Sequence, residues 1–288
     1  MAVSPQNPEQ HISCLKVEGR PQHDAWILVV TTNEERTAYE SRIFHYPQFP
    51  NQEGRVALEL STWLVDFTVG EDSTIHALSA DGTVWQNRQG QTTSVKVSPS
   101  TFTKICGPME TATIAAVAAD GLAFLLSTTG WVNLHSPFSS RLLDVTAISP
   151  EDIYVCGADG VFGHWDGKAW TVIDLGTNAD LLSIAHDRSG RVLVAGVAGL
   201  AFIGNAASGF EAVIGADQGL YGLCPYEDGF LAAAPGFGFF FCDGVQMTPF
   251  KDGFAPYRLS AVGRIVFAAA DGDVVLFTGR EWLSLPVY

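Results

Sequence analysis

The sequence is poor in basic residues. Sixteen Lys and Arg stand against 31 Asp and Glu, a formal net charge of −15. Sequence-independent nucleic-acid binding needs a Lys/Arg-lined surface that displaces counterions, so that class of function is excluded. Attraction to an anionic membrane is disfavoured for the same reason. The balance suits a basic partner, whose approach the net field would accelerate. Paired cysteines are also lacking: Cys14, Cys106, Cys156, Cys224 and Cys242 are odd in number, scattered and without CxxC spacing. They read as reduced, mostly buried thiols of a cytoplasmic protein. No uninterrupted apolar stretch approaches the ~18 residues of a membrane helix. Residues 1–10, MAVSPQNPEQ, carry neither the basic nor the apolar region of a signal peptide, so none is expected.

Catalytic signatures are missing too. There is no HExxH, GxSxG or GxxxxGK[ST], and the seven histidines are spread through the chain. The Gly-rich run 235–243, PGFGFFFCD, is followed by no helical pattern and reads as a close-packed hairpin rather than a phosphate loop. A metal site needs ligands converging from several segments, and no matched set of His or carboxylates recurs. No cofactor or metal is therefore expected.

What the chain does have is a tight-turn signature that returns about every 39 residues. Asp81-Gly82, Asp120-Gly121 and Asp159-Gly160 are each 39 apart, Ala198-Gly199 follows after another 39, and Pro235-Gly236 and Asp271-Gly272 after 37 and 36. A fixed period of this size means stacked supersecondary units. Residues 142–174 show the unit: four short apolar or alternating runs, 142–149, 152–158, 161–167 and 169–174, divided by turn residues. Asp-Gly between two such runs is a strong hairpin signal, since a type I′ turn needs positive φ at both central residues. The unit is thus a four-stranded antiparallel meander. Trp131, Trp170, Trp282 and Phe210 recur at the start of the fourth run, 11 or 12 residues after the turn, and read as wedges between neighbouring sheets. The small Ala and Gly residues of the second runs suit strands where sheets crowd together.

Six copies lie between residues 61 and 288, and runs at 12–19, 25–32, 41–47 and 55–60 supply a seventh. The expectation is an all-β, seven-bladed β-propeller forming one domain. Its approximate blades are 11–60, 61–99, 100–137, 138–176, 177–216, 217–250 and 251–288. The chain ends just after a fourth-strand pattern, so closure by packing of the first and last blades is expected.

Charge and aromatic side chains then fall into position. The turns between first and second strands carry Glu71, Asp72, Glu110, Glu151, Asp152, Asp187, Glu227 and Asp228, which open on one face and should make it the more negative one. Polar turn residues are normal in hairpins, which is the alternative account of them. Phe102, Phe138, Phe254 and Tyr257 fall in inter-blade connections on the opposite face. They are candidate interface anchors, or caps of the hydrophobic layer between blades. Asp66, Asp144 and His186 lie near inner strands and read as structural residues, a channel site being the alternative.

DIYVCGADGVFGHWDGKAWTVI (152–173) resembles the repeats of bacterial propeller proteins with the pattern D-[IV]-[WY]-x-V-G-x-x-G-x-x-x-H-W-D-G-x-x-W, and IHALSADGTVWQNRQG (75–90) is similar to tectonin-type repeats. The resemblance implies the propeller fold and a binding role, without a defined set of catalytic residues. SADGTVW (79–85) approaches the sialidase Asp-box but lacks its spacing. The resulting expectation is a non-enzymatic protein-binding propeller, and more specifically an acidic immunity or inhibitor protein that neutralises a basic bacterial effector toxin. A lectin-like glycan-binding propeller and a propeller hydrolase or lactonase with a central divalent cation stay open as alternatives.

Overall fold

The computed structural model describes residues 10–107, 113–270 and 272–286. Among these residues, 28 strands form seven four-stranded antiparallel sheets, each made of strands consecutive in the chain. The blades span 10–60, 64–96, 102–133, 142–172, 181–212, 222–251 and 256–286. The chain is a seven-bladed β-propeller. Asp271 and Glu110 lie outside the described residues.

Each blade alternates apolar residues onto two faces and buries both against its neighbours. One hydrophobic cluster joins blades 1 and 2 around Trp26, Leu28, Phe67 and Val69, and comparable clusters occupy the other interfaces. The second strands are buried along nearly their whole length, as in Ile75–Ser79, Ala115–Ala118 and Gly229–Ala234. Their alanines are small because a sheet presses on each side of them, between blades. The strands lining the axis are the first strands, not the second. The recurrent aromatics act as wedges. Trp170 of blade 4 donates its Nε1–H to the Leu134 carbonyl beside blade 3 at 2.9 Å, and Trp282 of blade 7 lies 4.7 Å from Phe239 of blade 6. Fully burying one such aromatic or aliphatic side chain is worth about 1.5–3 kcal/mol.

The ring closes without a shared strand. Gln10–Arg20 of blade 1 packs on Pro256–Val262 and Ile265–Ala270 of blade 7. At this seam Phe267 lies on Gly19: a β-carbon there would stand 2.1 Å from the Phe267 ring. The Gly19 N–H also donates to Ser260 Oγ at 3.1 Å.

The repeated Asp-Gly pair is built in more than one way. At Ala158–Val161, Asp159 and Gly160 both have positive φ (58° and 72°), and the Val161 N–H closes the turn on the Ala158 carbonyl, the type I′ arrangement. Ala198 and Gly199 repeat it at 51° and 71°. At Asp81-Gly82 and Asp120-Gly121 only the glycine has a positive φ, and its N–H bonds back to Ser79 or Ala118, so the turn starts one residue earlier. Pro235-Gly236 forms a third kind, with proline second and a positive-φ glycine third. The period is conserved in spacing while the local geometry varies.

Ala198 pays for a left-handed backbone that glycine adopts freely. Ala198→Gly should therefore stabilise the protein by about 0.5 kcal/mol in urea unfolding. Gly199→Ala, whose β-carbon would meet the Ala216 carbonyl oxygen at 2.1 Å, should destabilise it by more than ~1 kcal/mol.

Candidate functional site

The first strands surround a central cavity of about 970 Å³. Six of them share a local device. Opposite the second strand, one extra residue is inserted in the first strand, at Leu15, Val65, Thr103, Leu143, Leu182 and Tyr257. A bulge of this kind re-aims the residues beside it. The residues that follow are Lys16, Asp66, Lys104, Asp144, Ser183 and Arg258. In blade 6 the matching residue, two after Leu220, is Gly222. Around the axis the order is therefore cation, anion, cation, anion, two neutral positions, cation.

The two carboxylates of this ring are fully engaged. Asp66 accepts from the Phe67 N–H at 2.9 Å and from the Ile105 N–H of blade 3 at 3.1 Å, with Lys16 Nζ at 3.0 Å and Lys104 Nζ at 3.7 Å. Asp144 accepts from the Val145 N–H, and from Ser183 Oγ and the Ile184 N–H of blade 5 at 3.0 and 3.1 Å. Each aspartate staples its own blade to the next. Lys16 adds a bond to the Phe67 carbonyl, and Thr103 to the Leu142 carbonyl. Asp144 and His186 line the cavity; Asp66 sits just beneath its lining. His186 Nδ1 is 2.7 Å from Thr146 Oγ1 of blade 4.

Burial pushes the Asp66 carboxyl up, but Lys16, Lys104 and Arg258, with the Ile105 N–H, more than offset it and hold its pKa below the ordinary value. The Lys104 pKa is lowered as well, which here disfavours its charged form. Burial and the nearby Arg258 pull its ammonium down, and Asp66 and Asp144 oppose this incompletely. Burial likewise pushes the thiols of Cys14, Cys106 and Cys224 up to about 12, which leaves them inert as nucleophiles at neutral pH. Three cations ring the axis, so a central divalent cation would meet repulsion. Among the described residues no group of three or more His, Cys, Asp or Glu is placed to hold one.

Arg20, Glu71, Asp187, Arg188, Glu227, Asp228 and Arg264 line the mouth. The expected acidic ring is thus mixed with arginines. Arg191 Nε binds Asp187 at 2.7 Å, Arg264 Nε binds Glu227 at 2.5 Å, and Arg88 Nη2 lies 3.4 Å from Asp72. Asp152 accepts from or binds the His164 ring nitrogen at 2.8 Å, and stands away from the cavity, as do Glu151 and Asp72. The turn acids expected to make this face the more negative one are thus partly neutralised by ion pairs. The aromatic candidates also need correction. Phe102 opens the first strand of blade 3 and is 1% exposed, so it is core and offers no anchor. Tyr257 is the bulge residue of its strand, half-buried at the seam between blades 1 and 7. Phe138 is wedged edge-on against Trp170 and Phe254 lies tilted against Trp282, both half-buried.

Sequence reasoning did not place Lys16, Lys104 and Arg258 at the axis, and it missed two exposed aromatics, Tyr221 (46% exposed) and Phe237 (58%). The ring had a legible signal. Leu64-x-Asp66, Phe102-x-Lys104, Leu142-x-Asp144, Leu181-x-Ser183 and Leu220-x-Gly222 share one spacing, and aligning first strands on the apolar residue exposes it.

No protein-family model matches the chain, and no curated protein matches it. Among solved structures, it is similar to Saccharomyces cerevisiae Sqt1, with 13% identity over 96% of this chain and 85% of that one, at a TM-score of 0.66. It is also similar to the WD40 β-propeller domain of Doa1, with 10% identity over 93% of this chain and 98% of that one, at a TM-score of 0.71. The likeness is one of fold.

Asp66 offers a test of the stapled ring. Its folded pKa is depressed, so its stabilising contribution is present above the unfolded value of 3.8 and is lost as pH falls through the folded pKa. Asp66→Asn should cost about 3 kcal/mol at pH 7, because it strands buried cations. The gap between variant and wild type in denaturant unfolding should narrow below about pH 4.

Proposed function

We propose that the protein is a non-enzymatic propeller that binds another protein through the face carrying the hairpin turns. The observation that carries this reading is the pair Tyr221 and Phe237. Their backbone N–H groups bond to the adjacent carbonyls of Ala233 and Ala234, at one end of the second strand of blade 6, while their rings are exposed. Exposed aromatics grouped on a rigid scaffold are what an interface anchor requires. Trp63 stands 43% exposed in the connection from blade 1 to blade 2, stacked on Tyr39. The finer reading is that this partner is a basic effector which the propeller inhibits, in the manner of an immunity protein. The net charge of −15 supports it through long-range attraction rather than through any one turn carboxylate. The engagement of Asp66 and Asp144 in inter-blade bonds supports binding over catalysis, since neither carboxylate is left free for acid or base work.

Affinity capture from the source cells with the wild type and with Tyr221→Ala/Phe237→Ala tests the interface. Both side chains are exposed, so thermal stability should change by no more than about 0.5 kcal/mol, while a partner held by the wild type should be released at least tenfold faster. A partner recovered equally by both proteins would overturn the assignment to this face. For the inhibitor reading, a captured basic protein should lose its activity at equimolar propeller. Full activity in the complex would remove inhibition from the proposal and leave the interaction.

A further inference from the structure

At the level of the bulges the cavity wall carries three cations, Lys16, Lys104 and Arg258, against the two carboxylates Asp66 and Asp144, with Glu18 also 3.9 Å from Lys16. Lys16 and Lys104 share Asp66, and Lys104 also approaches Asp144 at 4.0 Å. Arg258 is half-buried, and among the described residues its guanidinium makes no hydrogen bond or ion pair. Guanidinium groups carry five N–H donors in a fixed fork that matches carboxylate and phosphate oxygens. Beside Arg258 in the ring come Gly222, which has no side chain, and then Ser183, so the arginine stands next to open space. Hydroxyls of Thr68, Thr146 and Ser183 line the same cavity.

We propose that this cavity is a binding site for a small organic anion bearing at least two negative charges, a phosphate ester or polycarboxylate, with Arg258 and Lys104 as its principal contacts. The site is separate from the aromatic face and independent of any protein partner. Several observations agree. The volume of about 970 Å³ lies at the upper end of the range for small-molecule pockets and greatly exceeds a single inorganic ion. The walls mix partly buried apolar residues such as Cys106, Pro225 and Val262 with a few converging polar groups, the usual make-up of such pockets. An anion between Arg258 and Lys104 would also relieve the mutual repulsion that, with burial, depresses the Lys104 ammonium. The floor is preformed, because the aspartate staples hold Lys16 and Lys104 in place before anything binds.

The test is isothermal titration of the full chain with pyrophosphate and with citrate, against inorganic phosphate and calcium chloride at matched ionic strength. The wild type should bind pyrophosphate or citrate more tightly than inorganic phosphate and should not bind calcium in the channel; which of the two binds better distinguishes the phosphate from the carboxylate class. Arg258→Gln should weaken that binding about tenfold or more. Arg42→Gln, which alters an ion pair with Glu40 and Glu59 away from the channel, should leave it unchanged. Should Arg258→Gln fail to fold, Arg258→Lys keeps the charge but not the fork and should still weaken binding several-fold. Equal affinity in wild type and the folded Arg258 variant would overturn the proposal. So would the absence of binding by every anion at about 10 mM, weaker than any ordinary small-molecule site.

Discussion

A single blade of this protein has two apolar faces and can bury neither by itself. Everything else in the structure depends on that constraint. The faces are covered only when the ring is complete, so the seam between blades 1 and 7 matters as much as any covalent link. There the first and last sheets meet face to face through Cys14, Val17, Ile27 and Phe267, with Gly19 leaving room for the phenylalanine. The wedges and small residues of the other interfaces are answers to the same packing problem, and they leave the first strands to face the axis.

Those first strands have a second task. Their bulges aim one residue from six of the blades at the axis, and the polar ones are used first to hold blades together. Asp66 and Asp144 reach across to backbone N–H groups of the following blade, and Lys16 to a carbonyl. Buried ion pairs are often near neutral for stability against an apolar replacement. Here their hydrogen bonds fall between sheets that share no strand, so they set the relative position of blades where backbone ladders cannot.

The fold was legible because its evidence is periodic. Turn spacing, the aromatic at the start of the fourth strand and the small residues of the second all repeat, and repetition identifies position without knowledge of contacts. The motif in residues 152–173 turns out to be architectural: Asp152 meets His164 across the second and third strands, and Trp170 is the wedge. Asp24 and His45 make the same pair in blade 1 at 2.6 Å, without an equally visible motif. The candidate site was much less legible. Turn carboxylates were read as a field because Arg88, on the third strand of its blade, and Arg264, on the blade after Glu227, pair with them only in three dimensions. Phe102 looked like a loop residue because strand starts are hard to place when a bulge shifts the register. The axial charges were hidden because adjacent blades carry opposite signs, and a residue that alternates does not announce itself as a repeat.

The staples also separate two kinds of evolutionary freedom. Asp144 is received by the Ile184 backbone as well as by the Ser183 hydroxyl, so the side chain at position 183 can be exchanged while part of the link persists. At Gly222 the axial position is blank. A sevenfold frame thus carries a circular register whose characters can be rewritten one at a time, and the lining of the channel can drift in chemistry while the wheel around it keeps its shape.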